Sequence, residues 1–253
     1  MKLVIVRDYE WLSKKAAAMV EEEVKNNRLC KLGLATGGTP KRMYELLVES
    51  YKASNEQLYK DITTFNLDEY VGLSPEDPNS YYYYMRTHLL NDLDVSVGQM
   101  NIPNGIAGDL EEECEKYDKL IEHLGGVDLQ ILGIGENGHI GFNEPGTSFS
   151  QGTHVVTLEP STLEANARYF SSLEDVPKQA ITMGIQTIVK SKQIILLASG
   201  HKKAEAIQRL VEGEVTEQFP ASILKTHPNV TVIVDEPATK NLKKTDRTAL
   251  VHC

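Results

Sequence analysis

Cysteine is scarce in this chain: Cys30, Cys114 and Cys253 are the only three among 253 residues. Three thiols without close spacing make neither a disulfide framework nor a metal-ligand set, and their odd number predicts reduced cysteines in a cytosolic protein. Basic excess is lacking as well. With 26 Lys and Arg against 36 Asp and Glu, the formal charge of −10 argues against the basic face that nucleic-acid binding requires. It does not exclude a small anionic ligand, because a few local cations or a helix N-terminus suffice for one. No apolar run reaches the length of a membrane-spanning helix. The apolar start, Met1-Lys2-Leu3-Val4-Ile5-Val6, stops at Arg7-Asp8; it is too short for a signal peptide and predicts a first strand. Linker composition, internal repeats and low-complexity tracts are missing, so residues 1–253 are expected to form a single domain able to bury a sizeable core.

What is present is alternation. Apolar runs over 2–6, 30–35, 62–67, 127–132, 155–158, 193–198 and 230–234 predict strands. Between them lie amphipathic helices. Asp8 caps one that carries Leu12, Ala16, Met19, Val20 and Val24 on a single face and ends at Asn26-Asn27. Thr39 suits the N-cap, and Pro40 the first position, of the next, which runs through Met43, Leu46 and Leu47. Asp109-Leu110-Glu111-Glu112 resembles a capping box, and its helix stops at Gly125-Gly126. Ser161-Thr162-Leu163-Glu164 is a second box, placing Arg168 two turns into a helix. Ser199-Gly200-His201 turns into a helix with Ala204, Ile207 and Leu210 inward and Gly213 as its stop. Four consecutive tyrosines, 81–84, open a further helix; they cannot all face one side of it and are assigned no chemistry. The pattern predicts an α/β protein, a single doubly wound, mostly parallel, Rossmann-like sheet with helices on both faces.

Three stretches carry candidate chemistry. The first, residues 133–145, follows a strand and reads Gly-Ile-Gly-Glu-Asn-Gly-His-Ile-Gly-Phe-Asn-Glu-Pro. Its first six residues match the dinucleotide pattern G-x-G-x-x-G, which needs a helix opening at the third glycine. The further glycines and Pro145 forbid one, so a dinucleotide site is not expected. His139 and Glu144 are instead an imidazole and a carboxylate that can meet through space, with Asn137 close by, and such a pair moves protons at neutral pH. The loop has no further carboxylate or histidine at metal-ligand spacing and no nucleophile elbow. The second stretch, Thr36-Gly37-Gly38-Thr39-Pro40, lies between a strand and a helix. It is an anion cradle or an ordinary tight turn, and it lacks the Gly-Lys-Ser/Thr ending of a Walker loop. The third is Asp68-Glu69 at a strand end, well placed for catalysis, although taken alone it reads better as a solvated strand end with Asp68 capping a turn. Lys202 and Lys203 stand at a helix start, where a cation opposes the dipole; either they face an anionic ligand or, by default, flexible lysines point into water.

Leu34 to Pro40, Thr64 to Leu73 and the Gly-His-Ile-Gly-Phe-Asn-Glu-Pro loop occur in the order and spacing of glucosamine-6-phosphate deaminases, as do Glu164 to Phe170 and Ser199 to Ala204. The resemblance spans nearly the whole chain. It implies conversion of glucosamine 6-phosphate and water to fructose 6-phosphate and ammonia, without cofactor or metal. It also implies roles. His139 opens the sugar ring, with Glu144 and Asn137 orienting and tuning it. Asp68 takes the C2 proton and returns it at C1. Thr36, Gly37, Gly38, Thr39, Arg168 and Lys203 hold the phosphate. Two departures stand out. Many relatives carry Asp where this chain has Asn137, and an amide can only orient, not take up a proton. Allosterically activated relatives use basic residues at positions matched here by His154 and Val156. An unregulated, monomeric or weakly associated enzyme of amino-sugar catabolism, acting on a small sugar phosphate and on neither nucleic acid nor membrane, is therefore expected. The rivals are a 6-phosphogluconolactonase, which needs no base over C2, and a sugar-phosphate-binding regulator without catalysis.

Overall fold

The computed structural model describes residues 1–54, 56–167 and 170–243. Seven strands form one parallel sheet: β1 (Lys2–Val6), β2 (Lys31–Leu34), β3 (Thr63–Asn66), β5 (Met100–Asn101), β6 (Leu129–Leu132), β9 (Gln193–Ala198) and β10 (Val230–Asp235), in the order β1-β10-β9-β6-β2-β3-β5. Side chains alternate between the faces, as the period of a strand requires. Val4, Leu32, Leu34, Ile131, Ile195 and Ile233 point to one core, and Ile5, Phe65, Leu132, Ile194, Val232 and Val234 to the other. The first core is covered by α1 (Tyr9–Asn26) and α2 (Gly38–Ala53), through Leu12, Ala16, Val20, Met43 and Leu47. The second is covered by α4 (Leu110–His123), α6 (Ile185–Val189) and α7 (Ala204–Glu212), through Tyr117, Ile121, Ile188, Ile207 and Leu210. Each aliphatic side chain buried this way contributes about 1.5–3 kcal/mol. Both faces are apolar, so this is the expected doubly wound α/β architecture. Among the described residues no helix is long and apolar enough to cross a membrane.

A second, smaller sheet was not foreseen. The strands β4 (Asp68–Tyr70), β7 (His154–Thr157) and β8 (Gln179–Thr182) pair antiparallel in the order β4-β8-β7 over a small cluster of Tyr70, Phe142, Leu158 and Ala180. β3 and β4 are one chain segment bent at Leu67. Its N–H still donates to Leu34 of the large sheet (3.1 Å), while its carbonyl accepts from Met183 beside the small one (2.6 Å). A three-residue strand whose partner lies over a hundred residues away leaves no local periodicity to detect.

Helix starts also differ from expectation. Asp8 and Asp109 cap as predicted, accepting from Trp11 N and Glu112 N at 2.9 and 3.0 Å. α2, however, begins at Gly38 with Gly37 as its cap, so Thr39 and Pro40 are already inside it. α5 (Pro160–Asn166) starts after Glu159 with proline in its first turn and no side-chain cap. The expected box at Ser161-Thr162 therefore does not cap this helix, and the Thr162 hydroxyl goes elsewhere. The tyrosines at 81–84 open the short helix α3 (Tyr81–Met85), which continues as a wider turn through Arg86–Leu90. His201–Lys203 form a 3-10 turn ahead of α7.

The strand order positions the site. From β2 the chain moves toward β3 and β5; from β6 it moves the opposite way, toward β9 and β10. Neighbouring β2 and β6 therefore send their following loops apart. The crevice at the carboxyl ends of such strands is where open α/β sheets bind ligands.

Candidate active site

A cavity of about 480 Å³ fills that crevice. Its wall contains Thr36, Gly37, Gly38 and Thr39 after β2, Asp68 after β3, Asn137 and His139 after β6, and Lys203 after β9. Stretches far apart in the chain are thus brought to one place. Glu144 stands behind His139, and Arg168 lies outside the described residues. His154 and Val156 sit on β7 of the small sheet and do not line the cavity.

The loop after β6 contains no helix, which removes the dinucleotide reading of its glycines. It folds back on itself through Gly135 N to His139 O (2.9 Å) and Gly138 N to Gly135 O (3.1 Å). At Gly135 an added Cβ would lie 2.4 Å from the His139 ring, and at Gly138 2.1 Å from Phe219. Gly135 thus lets the backbone wrap the imidazole closely, and Gly138 lets the loop pack on Phe219. Asn137 locks the wrap: its Oδ1 accepts from His139 N (3.2 Å), so its Nδ2 faces Glu144 and donates to Oε2 (2.6 Å). His139 Nδ1 lies 3.4 Å from the same Oε2, near enough for charge attraction but short of a formed hydrogen bond. The other carboxylate oxygen, Oε1, accepts from the Thr162 hydroxyl at 2.8 Å. Burial works to raise the Glu144 carboxyl, but contact with His139, Thr162 and Asn137 outweighs it and holds the group below the ordinary carboxylate value. Glu144 is thus an anion ready to orient and stabilise a protonated His139.

The Asp68-Glu69 pair divides by strand alternation. Glu69 accepts three backbone N–H bonds, from Tyr70 (2.8 Å), Tyr81 and Tyr82 (both 2.9 Å), and so anchors the start of α3. Asp68 points the other way, into the cavity. Neither the turn-capping role nor an exposed strand end applies to it. It is 6% exposed, and burial, followed by the charge of Glu69, raises its carboxyl to about 8. A carboxylate held in a cleft with a raised proton affinity is equipped to abstract a proton from carbon.

At the other end, Gly37 adopts φ 96°, and a Cβ there would meet nothing within 4 Å; the glycine is required by its backbone and not by space. The Tyr84 hydroxyl donates to Gly37 O (2.7 Å), and the Tyr9 hydroxyl lies 2.9 and 3.0 Å from the carbonyls of Gly38 and Thr39. With the carbonyls engaged from behind, the first-turn N–H groups of α2 remain for an anion. Lys203 adds positive charge to the wall. The Ser199-Gly200 turn that leads to it is held by buried Asp235, which accepts from Ser199 Oγ (2.5 Å) and Gly200 N (2.9 Å).

Several contributors escaped the sequence. Thr162 and Asn166 of α5, Phe142 and Tyr81 line the cavity, and Tyr9 and Tyr84 brace the cradle. The run of four tyrosines was the one visible signal for this group. Its members serve different ends: Tyr84 binds the glycine turn, and Tyr81 stacks on Phe142 at 15° between rings.

Comparison with known proteins agrees with this arrangement. A family model described as glucosamine-6-phosphate isomerases/6-phosphogluconolactonase matches residues 9–233. The chain is 57% identical over 238 residues to a glucosamine-6-phosphate deaminase of a Geobacillus species, covering 94% of each chain. It is 56% identical to that of Shouchella clausii, covering 94% of this chain and 96% of the relative. A solved monomeric glucosamine-6-phosphate deaminase superposes with a TM-score of 0.92 at 52% identity, over 94% of this chain and 98% of that one. The 6-phosphogluconolactonase of Trypanosoma brucei, at 18% identity and a TM-score of 0.79 over 96% and 98% of the two chains, shares the fold. With its parallel sheet, its crevice and these relatives, the chain belongs to the glucosamine-6-phosphate isomerase/6-phosphogluconolactonase family.

Proposed function

We propose that this cleft converts glucosamine 6-phosphate and water into fructose 6-phosphate and ammonia. The observation that carries the assignment is Asp68, a buried carboxylate aimed into the cavity that also holds His139, while its neighbour Glu69 is committed to backbone N–H groups. A lactone hydrolase has no C–H bond to break and no need of that carboxylate.

The phosphate sits against Thr36, Gly37, Gly38 and Thr39, with Lys203 and Arg168 as its cations. Binding it there holds C1 and C2 in place at a distance from the chemistry. His139, oriented by Glu144 and Asn137, transfers a proton from the anomeric hydroxyl to the ring oxygen, which opens the ring to the aldehyde. Asp68 then removes the C2 proton while the substrate ammonium gives up one proton to the C1 oxygen, leaving an enolamine with a hydroxyl on C1 and the amine on C2. Return of the C2 proton to C1 gives an imine at C2. Water adds to it, and the resulting carbinolamine expels ammonia to leave the ketone of fructose 6-phosphate. The substrate amine is cationic near neutral pH, and beside Asp68 it favours the ionised base.

We infer further that the chain works as a monomer without allosteric activation. His154 and Val156 supply no fixed cation pair at the positions expected for an effector, and the His154 ring contacts the Gly152 carbonyl at 2.9 Å. The first experiment mixes purified protein with glucosamine 6-phosphate and follows ammonia and fructose 6-phosphate together. Equal yields of the two are expected. Hydrolysis of 6-phosphogluconolactone with no ammonia from the amino sugar would overturn the assignment.

A further inference from the structure

We propose that Thr162 is a positioning residue, whose hydroxyl makes the Glu144–His139 pair competent only while α5 is seated on the cavity. Glu144 is 7% exposed, and among the described residues two hydrogen bonds reach its side chain, one on each oxygen: Asn137 Nδ2 to Oε2 and Thr162 Oγ1 to Oε1. The Asn137 bond lies within the loop after β6. The Thr162 bond comes from a different element, and Thr162 is itself buried. Thr162 and Asn166 are four residues apart on α5 and both line the cavity, so one face of this short helix closes the site and steers the carboxylate.

The geometry explains why one hydroxyl matters. His139 Nδ1 lies 3.4 Å from Oε2, at the edge of hydrogen-bond reach, and Oε2 is already shared with Asn137. With Oε1 held, rotation of the carboxylate is blocked and Oε2 stays beside the imidazole. With Oε1 released, a buried carboxylate loses one of its two fixed donors, and the misalignment falls on the weakest contact, the one to His139. His139 is the titratable group facing Glu144; Asn137 and Thr162 are its uncharged neighbours. The inference rests on the deaminase reading above, since it assigns a part in ring opening.

The test compares Thr162→Val, which keeps shape and removes the donor, with Thr162→Ser, which keeps the donor. Steady-state kinetics on glucosamine 6-phosphate should show kcat lowered about tenfold in the Val variant, the order expected for a lost hydrogen bond to a charged group. KM should change less than about twofold, and an open-chain amino-alditol phosphate, which has no ring to open, should inhibit both variants as it inhibits the parent. The Ser variant should recover most of the rate. Titration of the Glu144 side-chain carboxyl by carbon NMR should move upward in the Val variant and not in the Ser variant; this measurement needs no turnover. Equal kcat and equal Glu144 titration in the parent and the Val variant would overturn the inference. So would a Ser variant as slow as the Val variant with a lowered Tm, which marks a packing role. A parent that releases no ammonia would count against the deaminase assignment, while the Glu144 titration would still decide whether Thr162 holds the carboxylate.

Discussion

Burial raises the Asp68 carboxyl to about 8 and that of Glu69 to about 7, yet Glu69 accepts from three N–H donors while among the described residues none is fixed on Asp68. Asp68 must be ionised to act as a base. In the free enzyme kcat/KM should therefore rise with pH through about 8, as a pH–rate profile would reveal. Asp68→Asn should lower kcat by about a hundredfold or more while the protein still binds sugar phosphate. The same substitution has a stability signature. Asp68 binds its proton more tightly folded (about 8) than at its ordinary value of 3.8, so it favours the folded state below about pH 4 and loses that contribution as pH rises through 8. Thermal melts should find the Asn variant gaining on the parent from pH 4 upward and leading it most above pH 8. At Asn137 the sign is different. An Asp there would set a second carboxylate against Glu144 Oε2, now 2.6 Å from the amide nitrogen. Like charges that close share a proton, so Asn137→Asp should keep activity but move the acid limb of the profile to higher pH.

At the level of elements, the turn from β2 into α2 is where backbone conformation and binding meet. Gly37 at φ 96° occupies a region that other residues enter at a cost of about 1–3 kcal/mol. Gly37→Ala should lower stability by that order and raise KM for glucosamine 6-phosphate much more than it lowers kcat. Tyr84→Phe removes the donor on the Gly37 carbonyl without straining the turn. It should raise KM severalfold, about the effect of one neutral hydrogen bond, with the same asymmetry. A fall in kcat at constant KM in either variant would contradict a role in holding the phosphate.

The whole molecule couples two sheets through the Leu67 bend, so the base on β4 is carried by the junction between them and the imidazole by a loop beyond the large sheet. Among the described residues, those from both sheets that line the cavity belong to a single chain, in keeping with the proposed monomer. Light scattering behind gel filtration should give the mass of one 28.2 kDa chain. The rate curve should be hyperbolic and unchanged by N-acetylglucosamine 6-phosphate. A sigmoidal curve that this compound makes hyperbolic would overturn the unregulated reading.

Periodicity and local chemistry determined much of this protein. The strand segments of the large sheet other than β5, the caps at Asp8 and Asp109 and the stop at Gly125-Gly126 show in local patterns of apolarity and capping, and such patterns are written in the adjacent sequence. Specific motifs likewise identified His139, Glu144, Asn137, Asp68 and the glycine turn as candidates. The tertiary structure alone decided what depends on distant partners. The pairing of β4 with β8 turns Asp68 inward and leaves Glu69 to anchor α3. Thr162, which locally reads as part of a capping box, gives its hydroxyl to Glu144 instead. Thr39 yields its capping place to Gly37 because the chain must turn sharply over the cavity edge. In each case the local sequence offered a short polar side chain a nearby role, and packing between elements far apart in sequence gave it another.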